Sequence, residues 1–409
     1  SGTRWLGDVP AHWNTQPLIA IATRKSISNC PEKELLSVYL DRGVIKFSDV
    51  DEKRTNATSE DLSKYQEVLP GDFVLNNQQA WRGSVGVSEH EGIVSPAYIV
   101  LRLTRDLNPK FANYLFRDRS MVSQYLVCSK GVGTIQRNLY WPQLKRSRVA
   151  IPPLGEQVRI VTFLDRKTAE IDAAVVKKEE LIDLLQEQRT IEINQAVTLG
   201  VNGNTSFRQS NVDWIAVLPS HWEVVPLKHV SEVQSGLTLG KIYAHSSRTK
   251  SYPYLRVANV QDGYIDLSEV TEITLPIREA RNYFLRSGDI LVTEGGDIDK
   301  LGRGNCWHGQ IDECLHQNHV FAVRILKKVR PEYVALITGV SYARRYFTTT
   351  ANKTTNLAST NKTKLGNLPL LVPPIEEQDA ILKHCEQVKA RFEALINPVK
   401  KEIAALKEM

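Results

Sequence analysis

The chain has 409 residues, of which 42% are hydrophobic and 24% are charged, and its mean hydropathy is -0.28. These values exclude a disordered or fibrous protein, and the length predicts two or three domains. The net charge of +6 is too small to indicate a nucleic-acid partner by itself, so the distribution of charge along the chain carries the argument.

The chain opens with a tryptophan-rich signature that recurs once. Residues 5–13 read Trp-Leu-Gly-Asp-Val-Pro-Ala-His-Trp, and residues 214–222 read Trp-Ile-Ala-Val-Leu-Pro-Ser-His-Trp, at an offset of 209. Chance does not account for two tryptophans, a proline and a histidine recurring at fixed spacing in a chain with seven tryptophans. The sequence is therefore predicted to be one unit written twice.

A turn that leads into an apolar strand follows in each copy. Residues 70–75 (Pro-Gly-Asp-Phe-Val-Leu) correspond to residues 287–292 (Ser-Gly-Asp-Ile-Leu-Val) at an offset of 217. The first strand leads into an amide-rich loop, and Asn, Gln and Arg side chains are those that contact base edges. The DNA-binding candidates in this loop are Gln78, Gln79, Trp81, Arg82 and Ser84. A core position for the tryptophan remains an alternative.

Positive charge is concentrated in the same part of each copy. Residues 102–148 contain ten Lys or Arg against two acids, and residues 327–364 contain eight against one. A solvated charged face is the alternative to a phosphate-facing surface, and the recurrence in both copies favours nucleic acid.

Each basic stretch contains a loop of small and amide residues. Such loops can be plain surface turns, but their Arg, Asn and Gln suit base edges and their Lys and Thr suit phosphates. The candidates in the first loop are Lys130, Thr134, Gln136, Arg137 and Asn138. The candidates in the second loop are Lys353, Asn356, Ser359, Asn361 and Lys362.

A Pro-Pro-x-x-Glu-Gln run starts a helix in each copy, at residues 152–157 and 373–378, an offset of 221. A seven-residue apolar repeat follows in both, which predicts a coiled coil. The predicted helix-pairing residues are Val161, Leu164, Ile171, Val175, Ile182, Leu185, Leu382, Cys385, Phe392, Ile396, Val399, Ile403 and Leu406. Two amphipathic helices packed on their own domains are the alternative. The predicted divisions are a domain at 1–154, a helix at 155–200, a domain at 201–375 and a helix at 376–409.

Chemistry-bearing motifs are weak. The sequence has no P-loop, metalloprotease or adenine methyltransferase motif, so no catalytic residue is predicted. Residues 294–300 resemble a nuclease acidic cluster only loosely. Residues 306–319 hold two cysteines and three histidines, but their spacing is poor for zinc, so no metal site is predicted. A strand edge that offers Gln317, Asn318 and His319 to DNA or to the core is favoured instead.

The remaining sequence features concern the cellular location. No apolar run approaches the roughly 20 residues of a membrane helix, and no signal peptide pattern is visible. The five cysteines are scattered and odd in number. They argue against a disulfide framework and predict a cytoplasmic protein.

With these motifs in hand, the chain closely resembles the specificity subunit of Type I restriction-modification systems over essentially its whole length. The resemblance rests on the repeated Trp-x-x-x-x-Pro-x-His-Trp signature, residues 65–98, residues 254–259, the Pro-Pro-x-x-Glu-Gln helix starts and the twin helices. It adds Arg256 and Asn259 as DNA-binding candidates.

The resemblance implies a fold and a set of partners. The fold would be α/β, with two target recognition domains built on curved mixed sheets and separated by two long antiparallel coiled-coil helices. Each domain would read one half of a bipartite, asymmetric site in double-stranded DNA. Two modification subunits would bring S-adenosylmethionine and restriction subunits would bring ATP and magnesium, so this chain itself would bind no cofactor. No membrane partner is expected, because no apolar run is long enough to span a bilayer. An assembly adaptor without its own sequence readout is the alternative.

Overall fold

The computed structural model describes residues 5–40, 42–49, 61–131, 137–203, 205–240, 248–296, 298, 301–326, 329–353 and 358–408. Backbone contacts divide the chain into Ser1–Ala173 (unit 1) and Ala174–Met409 (unit 2), and the division falls inside a long helix. Among the described residues, no helix is both long enough and apolar enough to cross a membrane.

Unit 1 consists of short strands and helices followed by the first part of the long helix. Its described strands are β1 (Asn14–Pro17), β2 (Ala22–Lys25), β3 (Leu36–Tyr39), β4 (Gly43–Lys46), β5 (Gln66–Val68), β6 (Asp72–Leu75), β7 (Val85–Val87), β8 (Gly92–Val94), β9 (Ile99–Leu103), β10 (Ser129–Lys130), β11 (Asn138–Leu139) and β12 (Arg148–Ile151). Its described helices are α1 (Leu18–Ile21), α2 (Pro109–Arg117), α3 (Arg119–Val127), α4 (Trp141–Leu144) and α5 (Leu154–Leu199). An antiparallel sheet runs in the order β2, β9, β6, β7. Phe73 on β6 stacks on Phe116 of α2 with ring centroids 4.3 Å apart, so α2 covers one face of this sheet.

Unit 2 repeats this plan with longer insertions. Its described strands are β13 (Phe207–Gln209), β14 (Val217–Pro219), β15 (Glu223–Pro226), β16 (Ser231–Ser235), β17 (Thr249–Leu255), β18 (Thr271–Pro276), β19 (Ile290–Thr293), β20 (Gly295–Gly296), β21 (Gly304–Cys306), β22 (Leu315–His316), β23 (Val320–Ile325), β24 (Asn352–Lys353), β25 (Ala358–Ser359) and β26 (Pro369–Val372). Its further described helices are α6 (Ile277–Ala280), α7 (Pro331–Gly339), α8 (Ser341–Thr350), α9 (Lys362–Gly366) and α10 (Ile375–Glu408). The sheet order β16, β23, β19, β21 matches that of unit 1. Strand β17 pairs with β22 in parallel, and the predicted α/β class with mixed sheets and two long helices is confirmed.

The residue-by-residue pairing of strands is the same in the two units, as the sequence motifs are. In unit 1 Asn14 of β1 lies opposite Ile151 of β12, and in unit 2 Glu223 of β15 lies opposite Val372 of β26. These pairs are related by the offsets of 209 and 221 that the sequence motifs show. The duplication is therefore a duplication of hydrogen-bonded structure.

The Gly-Asp turn places a buried carboxylate at the start of the central strand in both units. Gly71 and Gly288 share a φ of +89°, which glycine adopts without strain. Asp72 accepts a hydrogen bond from Lys25 at 2.9 Å, whereas Asp289 accepts two from Arg324, at 2.9 and 2.7 Å. The cation comes from β2 in unit 1 and from β23 in unit 2. The carboxylate is thus kept in both units while its counter-ion has changed.

The repeated sequence signatures meet at the helix starts. In unit 1 Glu156 accepts hydrogen bonds from His12 Nε2 at 2.8 Å and from Trp13 Nε1 at 3.3 Å. The bond from His12 holds the pKa of Glu156 below its ordinary value. In unit 2 Glu377 accepts from His221 at 2.8 Å and from Trp222 at 3.1 Å. The Trp-Pro-His-Trp signature therefore fixes a helix to its domain.

The glutamine that follows completes the anchor. Gln157 donates to the carbonyl oxygens of Asp106 and Pro152 at 2.9 Å and accepts from the Asn108 backbone N–H at 2.8 Å. Gln378 makes the equivalent bonds, donating to Pro373 and accepting from the Arg330 backbone N–H. Both amides are fully buried. Because buried backbone groups need partners, each glutamine ties the helix start to the loop before α2 or α7.

Within unit 2, the second part of α5 runs antiparallel to α10. The ion pairs Lys178–Glu402 and Glu179–Lys407 join an earlier part of α5 to the last turns of α10, whereas Glu192–Arg391 joins a later part of α5 to an earlier part of α10, as antiparallel helices require. Buried seam residues on the two helices are Val175, Ile182, Cys385, Phe392, Ile396 and Ile403, while Leu185, Val399 and Leu406 are half-buried.

The seam of α10 departs from its predicted phase near the helix start. Ile381 and Val388 are buried, whereas Leu382 is half-buried and Lys389 is exposed. The heptad extrapolated back from Ile396 is therefore displaced by one residue at this end. The buried residues 388, 392 and 396 are spaced four apart twice in succession, where a strict heptad would alternate spacings of three and four. This shift compensates for the difference between 3.6 residues per helical turn and the 3.5 of a heptad repeat.

The first part of α5 packs on its own domain. Val161 is buried in the core of unit 1, and Leu164 and Ile171 are half-buried. Tyr114 of α2 donates to Asp165 at 2.8 Å on the same stretch of helix. Helix pairing and packing on the parent domain, which the sequence left as alternatives, thus both occur, on different parts of one helix.

Candidate nucleic-acid interface

The two ends of the central strand, β6 in unit 1 and β19 in unit 2, lie in different surroundings. At the start of β6, Gly71 lies against Pro109 of α2, next to the loop that Gln157 anchors. At the start of β19, Gly288 lies against Pro331 of α7 in the same way. We call this the helix end of each unit. The opposite end of β6 leads into the predicted DNA-binding loop at 76–84, and the opposite end of β19 leads into residues 294–296; we call this the loop end of each unit.

At the loop end of unit 1, two candidate segments far apart in sequence come together. The backbone N–H of Leu139 in the β10–β11 hairpin donates to the carbonyl oxygen of Asn77 at 3.0 Å. In that hairpin Lys130 lies opposite Asn138. The loop after β6 and the hairpin of the basic stretch therefore form one surface. We call it the unit 1 surface; its residues are Gln78, Trp81, Arg82, Lys130, Arg137, Asn138 and Tyr140.

Trp81 is the centre of the unit 1 surface. The guanidinium carbons of Arg82 and Arg137 lie 4.7 and 5.6 Å from the centre of its ring, and its indole N–H donates to the Gln78 carbonyl oxygen at 3.0 Å. Lys130 Nζ lies 3.9 Å from the ring centre of Tyr140. The ring is half-buried rather than part of the core. Aromatic rings flanked by cations offer stacking faces and phosphate or base-edge donors side by side.

Four predicted residues are not included in the unit 1 surface. Ser84 is buried, and its hydroxyl donates to the Val38 carbonyl oxygen at 2.8 Å, which occupies the side chain within the fold. Gln79 is half-buried, and its backbone N–H closes a turn onto Asn76. Thr134 and Gln136 lie outside the described residues.

The loop end of unit 2 has the same construction. The Thr360 backbone N–H donates to the Glu294 carbonyl oxygen at 2.7 Å, at positions related by the motif offsets to Leu139 and Asn77 of unit 1. Gly295 of β20 lies opposite Ser359 of β25, which pairs with β24. The fold therefore builds an equivalent surface twice. We call the second the unit 2 surface; its residues are Glu294, His319, Asn352, Lys353, Ser359 and Lys362.

The unit 2 surface is chemically unlike its counterpart. His319 Nδ1 donates to the Glu294 carboxylate at 2.6 Å, and Asn318 lies against the other ring nitrogen at 3.3 Å. Exposed Lys353 and half-buried Ser359 come from the β24–β25 hairpin. Among the described residues, the unit 2 surface has no aromatic ring flanked by guanidinium groups. It offers carboxylate, imidazole, hydroxyl and ammonium groups instead.

The other unit 2 candidates divide between surface and framework. Arg256 is exposed beside Gln317, which accepts from the Val257 backbone N–H at 3.4 Å. Asn259 is buried, and its amide donates to the carbonyl oxygens of Asp266 and Glu269 at 2.8 and 2.9 Å, so it holds the loop together. Asn361 caps α9 by accepting from the Lys364 backbone N–H. Asn356 lies outside the described residues.

Within the described residues, several cations of the basic stretches also bond within the fold. Arg148 donates to the Thr15 carbonyl oxygen, Arg344 donates to the Leu301 carbonyl oxygen, and Arg330 pairs with Asp379 at 2.7 Å. Arg102 and Arg105 are exposed on β9 and just beyond it, and Arg105 is near the helix end. Counting Lys and Arg along the sequence thus overestimates the positive charge available to bind DNA, because several of these side chains bond to other groups of the fold.

The tertiary structure adds residues that sequence reasoning missed. Glu294 had been grouped with a nuclease-like cluster whose other members, 297, 299 and 300, lie outside the described residues. Tyr140 and Asn352 were not singled out. The offset of 217 that relates Glu294 to Asn77 was the signal that could have found it.

The cysteine and histidine segment does not assemble as a single cluster. Cys314 is buried, and burial raises the pKa of its thiol to about 12. His316 is also buried, its Nδ1 donates to the Val320 carbonyl oxygen at 2.7 Å, and burial lowers the pKa of its imidazole. His319 belongs to the unit 2 surface. A zinc site spanning the whole segment is therefore not formed.

Comparison with known proteins gives a family match over most of the chain. A family model described as the Type I restriction modification DNA specificity domain matches residues 27–182 and 219–405. The specificity subunit of the type I restriction enzyme EcoKI from Escherichia coli strain K12 is 23% identical over 360 residues, covering 85% of this chain and 74% of that protein.

Two solved structures share the fold. A chain from a study of complex assembly and conformational transition of the type I R-M system matches with a TM-score of 0.64 and 18% identity, over 98% of this chain and 96% of that chain. The HsdS subunit from Thermoanaerobacter tengcongensis matches with a TM-score of 0.53 and 16% identity, over the same shares of both chains.

Proposed function

The chain belongs to the Type I restriction modification DNA specificity family, and on this premise we propose that it is the non-catalytic, DNA-reading subunit of a type I restriction-modification enzyme. Each unit reads one half of a bipartite, asymmetric site through its loop end. Modification and restriction subunits supply the chemistry, with S-adenosylmethionine, ATP and magnesium bound on those partners.

The observation that carries the proposal is that the two loop ends share the same backbone arrangement but present different side chains. The hydrogen bonds from Leu139 to Asn77 and from Thr360 to Glu294 occupy equivalent positions. Around the first lie Trp81 and two arginines, and around the second lie a carboxylate and an imidazole. Arg favours guanine, and carboxylates accept from cytosine amino groups. Two readers on one scaffold with different side chains suit a site whose halves differ.

The helices suit the task of spacing and docking. Helix α5 has 46 residues, which corresponds to roughly 69 Å at 1.5 Å per residue. It is anchored at its start by Glu156 and Gln157 and pairs with α10 within unit 2. In the proposed role, the length of these helices sets the gap between the two half-sites, and their exposed faces are available to modification subunits.

DNA binding by the assembled complex tests the proposal. The full chain with its modification subunits is titrated with two duplexes, one carrying the methylated motif found by methylome sequencing of the host and one scrambled. We expect binding to the motif to be tighter by about a thousandfold or more, with log affinity falling steeply as log salt rises. An assembly adaptor would bind both duplexes alike with a flat salt dependence, and that result would reject the proposal.

A change in helix length tests the spacing role. Seven residues are inserted in α5 after Gln186 and seven in α10 after Leu395, which keeps the pairs Lys178–Glu402 and Glu192–Arg391 in register. We expect the unread gap to grow by about three base pairs, since seven residues add about 10.5 Å and DNA rises 3.4 Å per base pair. Methylome sequencing measures the gap.

The matched control inserts the same seven residues in α5 alone. It moves Lys178 and Glu402 out of register and should abolish methylation rather than shift the gap. Altered half-site sequences in the double insertion would contradict a spacing role.

A further inference from the structure

Three side chains with metal-binding atoms meet at the helix end of unit 2, away from the unit 2 surface. Cys306 ends β21, His308 follows two residues later, and Glu332 lies in the first turn of α7. One ligand atom from each, a thiol sulfur, an imidazole nitrogen and a carboxylate oxygen, lies within 4.8 Å of the other two. Cys306 Sγ lies 3.9 Å from Glu332 Oε1.

The backbone between Cys306 and His308 is held in place. Trp307 is fully buried, its N–H donates to the Asp289 carbonyl oxygen at 2.7 Å, and its carbonyl oxygen accepts from Gly288 at 2.7 Å. In an extended chain, neighbours on either side of one residue project to the opposite face from it. With Trp307 fixed in the core, Cys306 and His308 therefore project together toward the surface.

The helix that carries Glu332 is pressed closely against the same strand. A Cβ on Gly304 of β21 would lie 2.7 Å from Thr338 Oγ1 of α7, so only glycine fits at this contact. The start of α7 is further held by the bond from the Arg330 backbone N–H to Gln378. All three ligands thus stand on backbone whose position other interactions determine.

The first unit shows that the fold does not require these residues. The strand registers pair Phe73 with Val87 in unit 1 and Ile290 with Cys306 in unit 2, so Val87 is the counterpart of Cys306. Two residues on, Glu89 corresponds to His308, and Lys110 of α2 corresponds to Glu332. Valine, glutamate and lysine are not a metal-binding set. Among the described residues, metal-binding side chains occupy all three of these positions in unit 2 but not in unit 1.

We propose that Cys306, His308 and Glu332 form a site for a divalent metal ion of the zinc class, with three protein ligands and an open position for water. One sulfur, one nitrogen and one oxygen ligand is a set that Zn²⁺ accepts, and bond lengths of about 2.0–2.3 Å require the ligand atoms to close to under about 4 Å. Rotation of the exposed His308 and Glu332 side chains supplies that movement. Asp289 nearby is engaged by Arg324 and stays outside the set.

Metal binding here would tie β21 to α7 next to the anchor of α10. Because the ion binds the folded arrangement, it would stabilise unit 2 by mass action. The site does not depend on the DNA-reading proposal, since it lies at the opposite end of β19 from the unit 2 surface.

The test uses the full chain, stripped with a chelator and titrated with Co²⁺ and then Zn²⁺. We expect one Co²⁺ per chain with a thiolate-to-cobalt charge-transfer band, displaced by Zn²⁺, and a thermal midpoint that rises with Zn²⁺. Cys306→Ser should lose the band. His308→Ala and Glu332→Gln should weaken binding by about tenfold or more, because even outer partners of a metal site contribute that much.

Cys30→Ser and His229→Ala are matched controls outside the site and should bind as the parent chain does. The side chains of His308 and Glu332 are exposed, so these variants remain folded and informative even if Cys306→Ser does not. Absence of the band in the parent chain, or its persistence in Cys306→Ser, would overturn the proposal.

Discussion

Replacing Asp72 by alanine is expected to lower the free energy of unfolding of unit 1 by about 3 kcal/mol, because it leaves a buried ammonium group without its closest partner. Lys25 Nζ lies 2.9 Å from Asp72 and 3.0 Å from Glu67, and the side chains of Lys25 and Asp72 are each only 4% exposed. The substitution also removes the acceptor for the Leu69 backbone N–H at 2.9 Å. Because Lys25 still contacts Glu67, the expected loss of unfolding free energy lies at the lower end of the range for breaking a buried ion pair.

Glu67 explains why the network is sensitive. Hydrogen bonds from Lys33 and Lys25 hold the pKa of Glu67 below its ordinary value, so this one carboxylate already serves two lysines and cannot fully replace Asp72. Amide hydrogen exchange of the β6 and β9 peptides in the full chain measures the effect within unit 1. A double change, Lys25→Met with Asp72→Leu, should recover most of the lost stability, because it removes both buried charges.

The control for Asp72 is the ion pair Lys46–Glu34 in the same unit, whose side chains are 40% and 41% exposed. Lys46→Ala should change exchange little, since solvent already screens that pair. Equal effects of Asp72→Ala and Lys46→Ala would show that burial of the carboxylate does not determine its contribution.

Removing the centre of the unit 1 surface is expected to relax recognition of one half-site. Trp81→Ala and Arg137→Ala should each weaken specific DNA binding by about tenfold to a hundredfold, because stacking and bidentate contacts contribute on that scale. Methylome sequencing with the modification subunits should then show degenerate bases in one half only. Lys353→Ala with Ser359→Ala should relax the other half, since those side chains belong to the unit 2 surface.

Exposed arginines at the helix ends are the matched controls for charge. Arg105 lies just beyond β9, and Arg286 lies before the Gly-Asp turn of unit 2. Arg105→Ala and Arg286→Ala remove the same charge as Arg137→Ala but should leave both half-sites unchanged. Relaxation of both halves by Trp81→Ala would mean that the two surfaces do not act separately.

Residues at the helix starts show how far sequence reasoning reached. The recurrence of His12, Trp13 and Glu156 at fixed offsets identified a repeat and a helix start. It could not show that these residues bond to one another, because they are separated by more than 140 positions. The same limit hid the partner of Cys306, since Glu332 lies 26 residues away on a different element.

The heptad of α10 shows a different limit. A period can be read from the sequence, but its phase depends on which face meets a partner. Residues 396 and 403 are buried as the pattern required, while near the start Ile381 and Val388 took the places expected of 382 and 389. Near its start, α10 packs against the core of unit 2, and this packing determines which face of the helix is buried.

The sequence by itself determined the duplication, the fold class, the two long helices and the segments that hold the candidate DNA-binding loops. Those features are local patterns of spacing, turn residues and periodicity, which follow from the geometry of strands and helices. The tertiary structure alone decided that Trp81 meets Arg137, that Ser84 and Asn259 are occupied within the fold, and that equivalent surfaces differ in chemistry. The reason is physical: side chains meet through strand pairing between distant segments, and burial decides which polar groups bond within the fold and which remain at the surface.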